Sequence, residues 1–271
     1  MNIHSDPLVW PKLEEELAPY LKYIKGIVLN GGSGQREIQL GDRDLNIDIV
    51  PSNKPDILGD LHALPLQDAA VDTIVSIAVL EHTRYPWIVA KEFYRVLRNG
   101  GYGVIAVPFL QPQHACPHDY VRFTEQGLIE LMKYVGFEVI ETGYVHHFGQ
   151  TIAWQLWEYF KGSKANKLTL SFWWIIVNQL SKGNFFKGNS ETTHNTHYVI
   201  VRKPGEIVDS TAVNAQLLSN SDPKSWFYPL LVCPETIQPL QLTDDRLVSQ
   251  DGQFTYNIED NIPQLLPKSH S

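Results

Sequence analysis

Gly26-Ile27-Val28-Leu29-Asn30-Gly31-Gly32-Ser33-Gly34 is an apolar run that ends in glycines. This pattern predicts a buried strand entering a tight turn, where missing side chains let a ligand come close to the backbone. Amide groups in such a turn can bind a carboxylate or a phosphate. A second apolar run, Leu45-Asn46-Ile47-Asp48, closes on an acid. At the carboxyl edge of a parallel sheet that acid can accept both hydroxyls of a ribose. Asp56-Ile57-Leu58 reads as a third strand and places Asp60, followed by Leu61, on the same edge, where it can meet an adenine amino group.

The order continues with a buried strand at Val71-Asp72-Thr73-Ile74-Val75-Ser76, then Val79-Leu80-Glu81-His82. Val89, Phe93, Val96 and Leu97 mark an amphipathic helix ended by Asn99-Gly100, and Gly103 to Val107 is a strand apolar on both faces. Thr124 is a good N-cap for a helix through Leu128, Leu131, Met132 and Val135, with Gly136 as its stop. Phe137 to Thr142 and Thr196 to Arg202 complete the strands. Alternating strand and helix signals predict an α/β fold with a mostly parallel sheet.

Leu64-Pro65-Leu66-Gln67-Asp68, Leu80-Glu81-His82, Arg95-Val96-Leu97-Arg98-Asn99-Gly100-Gly101, His118-Asp119-Tyr120-Val121-Arg122-Phe123-Thr124 and Gly136-Phe137-Glu138-Val139 follow in order. The set resembles the class I S-adenosylmethionine-dependent methyltransferases of the small-molecule and glycan-modifying branch. That resemblance implies a Rossmann-like, seven-stranded, mostly parallel sheet with helices on both faces. It implies S-adenosylmethionine as cofactor, bound by Asn30, Gly32, Gly34, Asp48, Asp60 and Leu61. Two features depart from the family: Arg36 stands where a third glycine is usual, and Asn30 replaces the commoner acid. Gln35 to Asp44 is also short for a full crossover helix. A dinucleotide site needs G-x-G-x-x-G, of which Gly32-Ser33-Gly34-Gln35-Arg36-Glu37 supplies only the first two glycines.

Methyl transfer from a sulfonium asks the protein mainly to align the reactants and exclude water, with a base only where the acceptor loses a proton. His82 after the fourth strand, and His114 and His118 after the fifth, lie at the carboxyl edge and are the candidate catalytic residues, with His118 or His114 preferred as base. For His82 a loop residue satisfying backbone groups is an equal reading, and for Asp119, Tyr120 and Arg122 a cap on the following helix. The Asn/Asp-Pro-Pro-aromatic run that grips planar nitrogens in some relatives is missing after the fourth strand, and Val107-Pro108-Phe109 does not replace it. An oxygen or carbon of a small-molecule, sugar or lipid-like acceptor is therefore expected. The alternative is a degenerate methyltransferase fold that acts as a non-catalytic binding or scaffold protein.

Outside this core, residues 1–25 carry Leu13, Leu17, Tyr20, Leu21 and Ile24 at helical spacing, with Pro11 in the first turn and Pro19 set to divide the helix. The methyltransferase region spans 26–203 and contains an aromatic-rich insertion at 144–195. Two helices packing their rings on the sheet and on each other are favoured there over a substrate lid or a membrane-surface helix. Leu168 to Leu180 falls short of the roughly 20 residues a bilayer requires. A polar linker covers 204–225. Residues 226–267, with Leu231-Val232-Cys233-Pro234 and Ile258-Glu259-Asp260-Asn261-Ile262-Pro263-Gln264-Leu265-Leu266, resemble the small β-rich, zinc-binding subunit that activates several methyltransferases. Thr236 and Ser249 stand where further thiols belong, and one thiolate does not hold structural zinc. A metal-free tail is expected, packed in cis or offering an apolar surface to a protein partner.

The chain has 271 residues, 43% of them hydrophobic, enough for a sizeable core. A net charge of -8 argues against an extended nucleic-acid surface. Two cysteines, Cys116 and Cys233, give no disulfide framework, and no basic start precedes an apolar run, so a cytoplasmic protein without a signal peptide or transmembrane segment is expected. His114 with His118 and Asp119, His146-His147, and His194 with His197 show no complete ligand set at a familiar spacing, so no metal is expected.

Overall fold

The computed structural model describes residues 7–9, 13–34, 39–114, 117–161, 167–182, 193–206, 222 and 225–267. Pro11, Arg36, Cys116 and most of the linker lie outside them. The sheet is built from β1 (Ile27–Gly31), β2 (Arg43–Asp48), β3 (Ile57–Gly59), β4 (Val71–Ile77), β5 (Leu97–Pro108), β6 (Glu138–Val145) and β7 (Thr196–Arg202). Four further strands follow in the tail: β8 (Leu240–Thr243), β9 (Arg246–Ser249), β10 (Thr255–Glu259) and β11 (Ile262–Leu265). Among the described residues these eleven form one sheet, in the order β6-β7-β5-β4-β1-β2-β3-β11-β10-β9-β8.

β1 pairs in parallel with β2 and with β4, β4 with β5, and β2 with β3. β7 is antiparallel to both β5 and β6. The observed sheet thus runs past seven strands. β11 adds in parallel to β3, Gln264 opposite Leu58 and Leu265 opposite Gly59, and carries the antiparallel β8–β11 meander with it. Pairing saturates the open edge of β3, which would otherwise expose unpaired N–H and C=O groups.

Strand alternation divides the core in two. Ile27, Leu29, Ile74, Ile105, Val107, Val199 and Val201 point to one face; Val28, Val75, Val104, Ala106, Tyr198 and Ile200 point to the other. Two helices cover the first face: α2 (Pro86–Val96) through Val89, Phe93 and Val96, and α3 (Glu125–Tyr134) through Leu128 and Met132. Trp226, Phe227, Leu230, Leu231 and Leu265 of the tail share that core. The second face is covered by α1 (Leu13–Leu17) and the 3-10 turn Leu21–Tyr23, with Leu17 and Tyr20 buried. Pro19 divides the two, because a proline inside a helix removes a hydrogen bond and clashes with the preceding turn.

Local signals set the boundaries. Thr124 caps α3, its hydroxyl oxygen accepting the Gly127 N–H at 3.1 Å, and Gly136 at φ +109° ends the unit. α2 stops at Val96 and the chain enters β5 directly at Leu97, so Asn99-Gly100 falls inside an irregular strand start, where the register against β4 shifts. The insertion holds α4 (Phe148–Lys161) and α5 (Lys167–Lys182), with the Phe160 and Trp173 rings stacked at 4.1 Å. Asn178 and Gln150 bond the backbone of Pro7 and Val9. Among the described residues no helix is long and apolar enough to cross a membrane.

In the tail, Cys233 is fully buried with its sulfur 3.2 Å from the Tyr256 hydroxyl. The Ser249 hydroxyl donates to Asp251 at 2.6 Å and accepts from the Phe254 amide. A tight hydrogen-bonded turn occupies that position.

Candidate functional site

A cleft of about 910 Å³ opens at the carboxyl ends of β1, β2, β3 and β4. Gly32, Ser33, Gly34, Asp48, Asp60, Leu61, His82 and His118 all line it, so widely separated sequence positions converge on one edge. This is where open α/β sheets place their ligands.

The glycine turn works by leaving room. Gly32 has φ +71°, and a Cβ there would stand 2.5 Å from Val79 Cγ2. Gly34 has φ +58°, and a Cβ there would meet no heavy atom of the described residues within 4 Å. The amides of the turn are already given to the protein: Gly32 and Ser33 N–H donate to the Ile47 carbonyl, and Gly34 N–H donates to Asp48 Oδ2 at 2.8 Å. These bonds close the turn onto β2.

Asp48 Oδ1 accepts the Val50 N–H at 2.8 Å, so each carboxylate oxygen holds one amide and the side chain is fixed in place. A carboxylate accepts about four hydrogen bonds, which leaves capacity for two ligand hydroxyls. Asp60 caps the turn after β3, accepting from His62 N and from His62 Nδ1 at 2.9 and 2.7 Å. His62 Nε2 then accepts the Tyr85 N–H, tying β3 to the loop before α2.

Asn30 does not line the cleft. It is buried one residue before the carboxyl end of β1, where its Nδ2 donates to Asn46 Oδ1 at 2.9 Å across the strand pair. Its Oδ1 is buried without a hydrogen-bond partner among the described residues. Sequence reading also missed Ile49, Ile77, Ala78 and Tyr85 in the cleft wall. Ala78 has φ +56°. Backbone held in that region by a residue other than glycine commonly marks a functional edge.

The three histidines separate into two roles. His118 is exposed, lines the cleft and sits beside the Tyr120 ring. His82 lines the cleft too, and its Nδ1 hydrogen-bonds the His118 carbonyl at 2.6 Å. His114 stands outside the cleft lining, half-buried against His82 and Trp154. The Glu81 carboxylate, together with the Pro112 carbonyl and Asp119, holds the His114 pKa above its ordinary value against the opposing effect of burial. Asp119 is held down at about 2, chiefly by its two-point pairing with Arg122. That pair braces the loop before α3. No described residue of α4 or α5 lines the cleft.

Comparison with known proteins bears on the same region. Residues 42–105, from β2 into β5, match a family model described as a methyltransferase domain. A protein of Mycolicibacterium smegmatis described as a "probable S-adenosylmethionine-dependent methyltransferase" is 36% identical over 95 residues. That match covers 33% of this chain, and the chain spans 37% of the length of that relative. Similar solved structures include the [4+2]-cyclase SpnF, at 16% identity and a TM-score of 0.48 over 75% of this chain and 86% of that one. Another is a SAM-dependent methyltransferase from Archaeoglobus fulgidus, at 16% identity and a TM-score of 0.47 over 70% and 93%. Over residues 42–105 the chain is similar to methyltransferase domains, and the matched relative is described as S-adenosylmethionine-dependent.

Proposed function

We propose that the chain is an S-adenosylmethionine-dependent methyltransferase acting on an oxygen or carbon of a small-molecule, sugar or lipid-like acceptor. The observation that carries this reading is the meeting of Gly34, Asp48 and Asp60 in one cleft at the edge of a parallel sheet. Gly34 leaves open space, Asp48 offers spare acceptor capacity for ribose hydroxyls, and Asp60 with Leu61 takes the adenine end. The cofactor supplies an activated methyl group; the chain positions the acceptor and keeps water from the reacting atoms. His118 is the group assigned to take a proton from the acceptor, because it lines the cleft, whereas His82, which lines it too, and His114, which does not, both face Glu81.

The tail belongs to the proposal as a built-in unit at 226–267 that supports the edge of β3. Its apolar residues enter the main core, which favours cis packing over a separate partner. The test is methyl transfer to a panel of hydroxylated acceptors with labelled cofactor. Turnover should fall at least tenfold in His118→Ala and in Asp48→Ala. A folded protein that binds the cofactor product yet transfers methyl to nothing in the panel would favour a binding role.

A further inference from the structure

Glu81 is a buried carboxylate beside the cleft. It is 0% exposed, and neither carboxylate oxygen has a hydrogen-bond partner. A buried carboxylate without hydrogen bonds is strongly disfavoured unless another charge compensates it. Two groups face it: His82 Nε2 lies 3.5 Å and His114 Nε2 lies 3.8 Å from Oε1. These separations are too long for good hydrogen bonds. Donors at about 2.0–2.2 Å from one centre stand roughly 3.3–3.6 Å apart; the His82 separation falls in that range, the His114 separation is slightly wider, and the three ligand atoms lie within 4.8 Å of one another.

The far side of each ring is arranged for the same purpose. His82 Nδ1 meets the His118 carbonyl at 2.6 Å and His114 Nδ1 meets the Pro112 carbonyl at 3.1 Å. A carbonyl only accepts, so both Nδ1 atoms carry a proton there, and each Nε2, the atom that faces Glu81, is the one left to serve as a ligand once deprotonated. Outer hydrogen bonds of this kind fix the tautomer of metal-ligating histidines. The nearby cation is Arg122, whose Nη2 lies 3.5 Å from His114 Nδ1, and Asp119 neutralises it through two bonds.

We propose that Glu81, His82 and His114 bind one divalent transition-metal ion of the zinc type. Two imidazoles and one carboxylate suit such an ion and leave positions open, whereas Mg²⁺ prefers oxygen ligands. His82 also lines the cleft, so the site adjoins it. An acceptor oxygen held there would ionise more readily; this last point rests on the methyl-transfer reading, while the metal site does not.

The test uses the full chain, stripped with a chelator and titrated with Zn²⁺, Co²⁺ and Mg²⁺, with S-adenosylhomocysteine binding measured in parallel. The site predicts one Zn²⁺ per chain, a visible Co²⁺ absorption band and no comparable Mg²⁺ binding. Glu81→Gln and His114→Gln should each weaken Zn²⁺ binding tenfold or more, while His114→Gln keeps its S-adenosylhomocysteine affinity. Should Glu81→Gln fail to fold, His114→Gln and the wild-type spectrum decide. A folded chain that takes up no Zn²⁺, or uptake undiminished in His114→Gln, overturns the proposal. Zinc uptake without S-adenosylhomocysteine binding would uphold the metal site and refute the methyl-transfer reading.

Discussion

Two glycines of one turn should respond differently to the same substitution. Gly32→Ala and Gly34→Ala both force alanine into left-handed backbone, at φ +71° and +58°. That alone costs about 1–2 kcal/mol. At Gly32 the new methyl would also sit 2.5 and 2.7 Å from the Val79 methyl carbons, in a packed region. Overpacking adds about 1–3 kcal/mol, for a total of about 2–5 kcal/mol. At Gly34 no described heavy atom lies within 4 Å, and restricting the unfolded chain returns about 0.4–1 kcal/mol. Using about 2–4 °C per kcal/mol for a protein of this size, Gly32→Ala should melt roughly 10 °C low and Gly34→Ala within a few degrees of wild type. If the room beside Gly34 receives the cofactor, Gly34→Ala should still lose at least about tenfold in S-adenosylhomocysteine affinity, or 1.4 kcal/mol. Thermal melts and calorimetric titration of both variants read this directly. Equal melting losses, or wild-type affinity in Gly34→Ala, would refute the reasoning.

Burial and the neighbouring His194 hold the His197 pKa down at about 4, against an ordinary 6.5. The native state then keeps this imidazole neutral while the unfolded chain binds the proton. Its contribution to stability is full above pH 6.5 and is lost as pH falls from 6.5 to 4, by about 3 kcal/mol in all. Urea melts across that window should show a weaker pH slope in His197→Gln; an unchanged slope would contradict the assignment. Trp226, 3% exposed in the shared core, should cost about 3–5 kcal/mol on truncation to alanine if the tail folds with the main sheet. A loss confined to a separate low-temperature transition would show instead that the tail melts by itself. Thr124→Ala should cost about 1 kcal/mol through the lost helix cap, measured by chemical denaturation.

Local signals were readable from sequence because each rests on a short-range cause. The glycine turn, the acids closing β2 and following β3, and the Thr124 cap all depend on residues within one element and its flanks. The edge join of β11 to β3 depends on backbone pairing between distant segments, which carries no composition signal of its own. For the same reason the sheet extends past seven strands. The cross-strand bond of Asn30 to Asn46 was not legible, because it depends on the register of β1 on β2. The Leu80-Glu81-His82 segment is legible as a motif, yet the burial of Glu81 without a hydrogen-bond partner follows from the loop folding over it. That loop also brings His114 from beyond β5 to His82.

The central claim is that this cleft holds S-adenosylmethionine, and titration of purified wild-type protein with S-adenosylhomocysteine tests it most directly. The account predicts saturable binding at one ligand per chain, competed by S-adenosylmethionine and strongly weakened in a folded Asp48→Ala variant. A well-folded protein that gives no binding, or whose binding is untouched by Asp48→Ala, would contradict it.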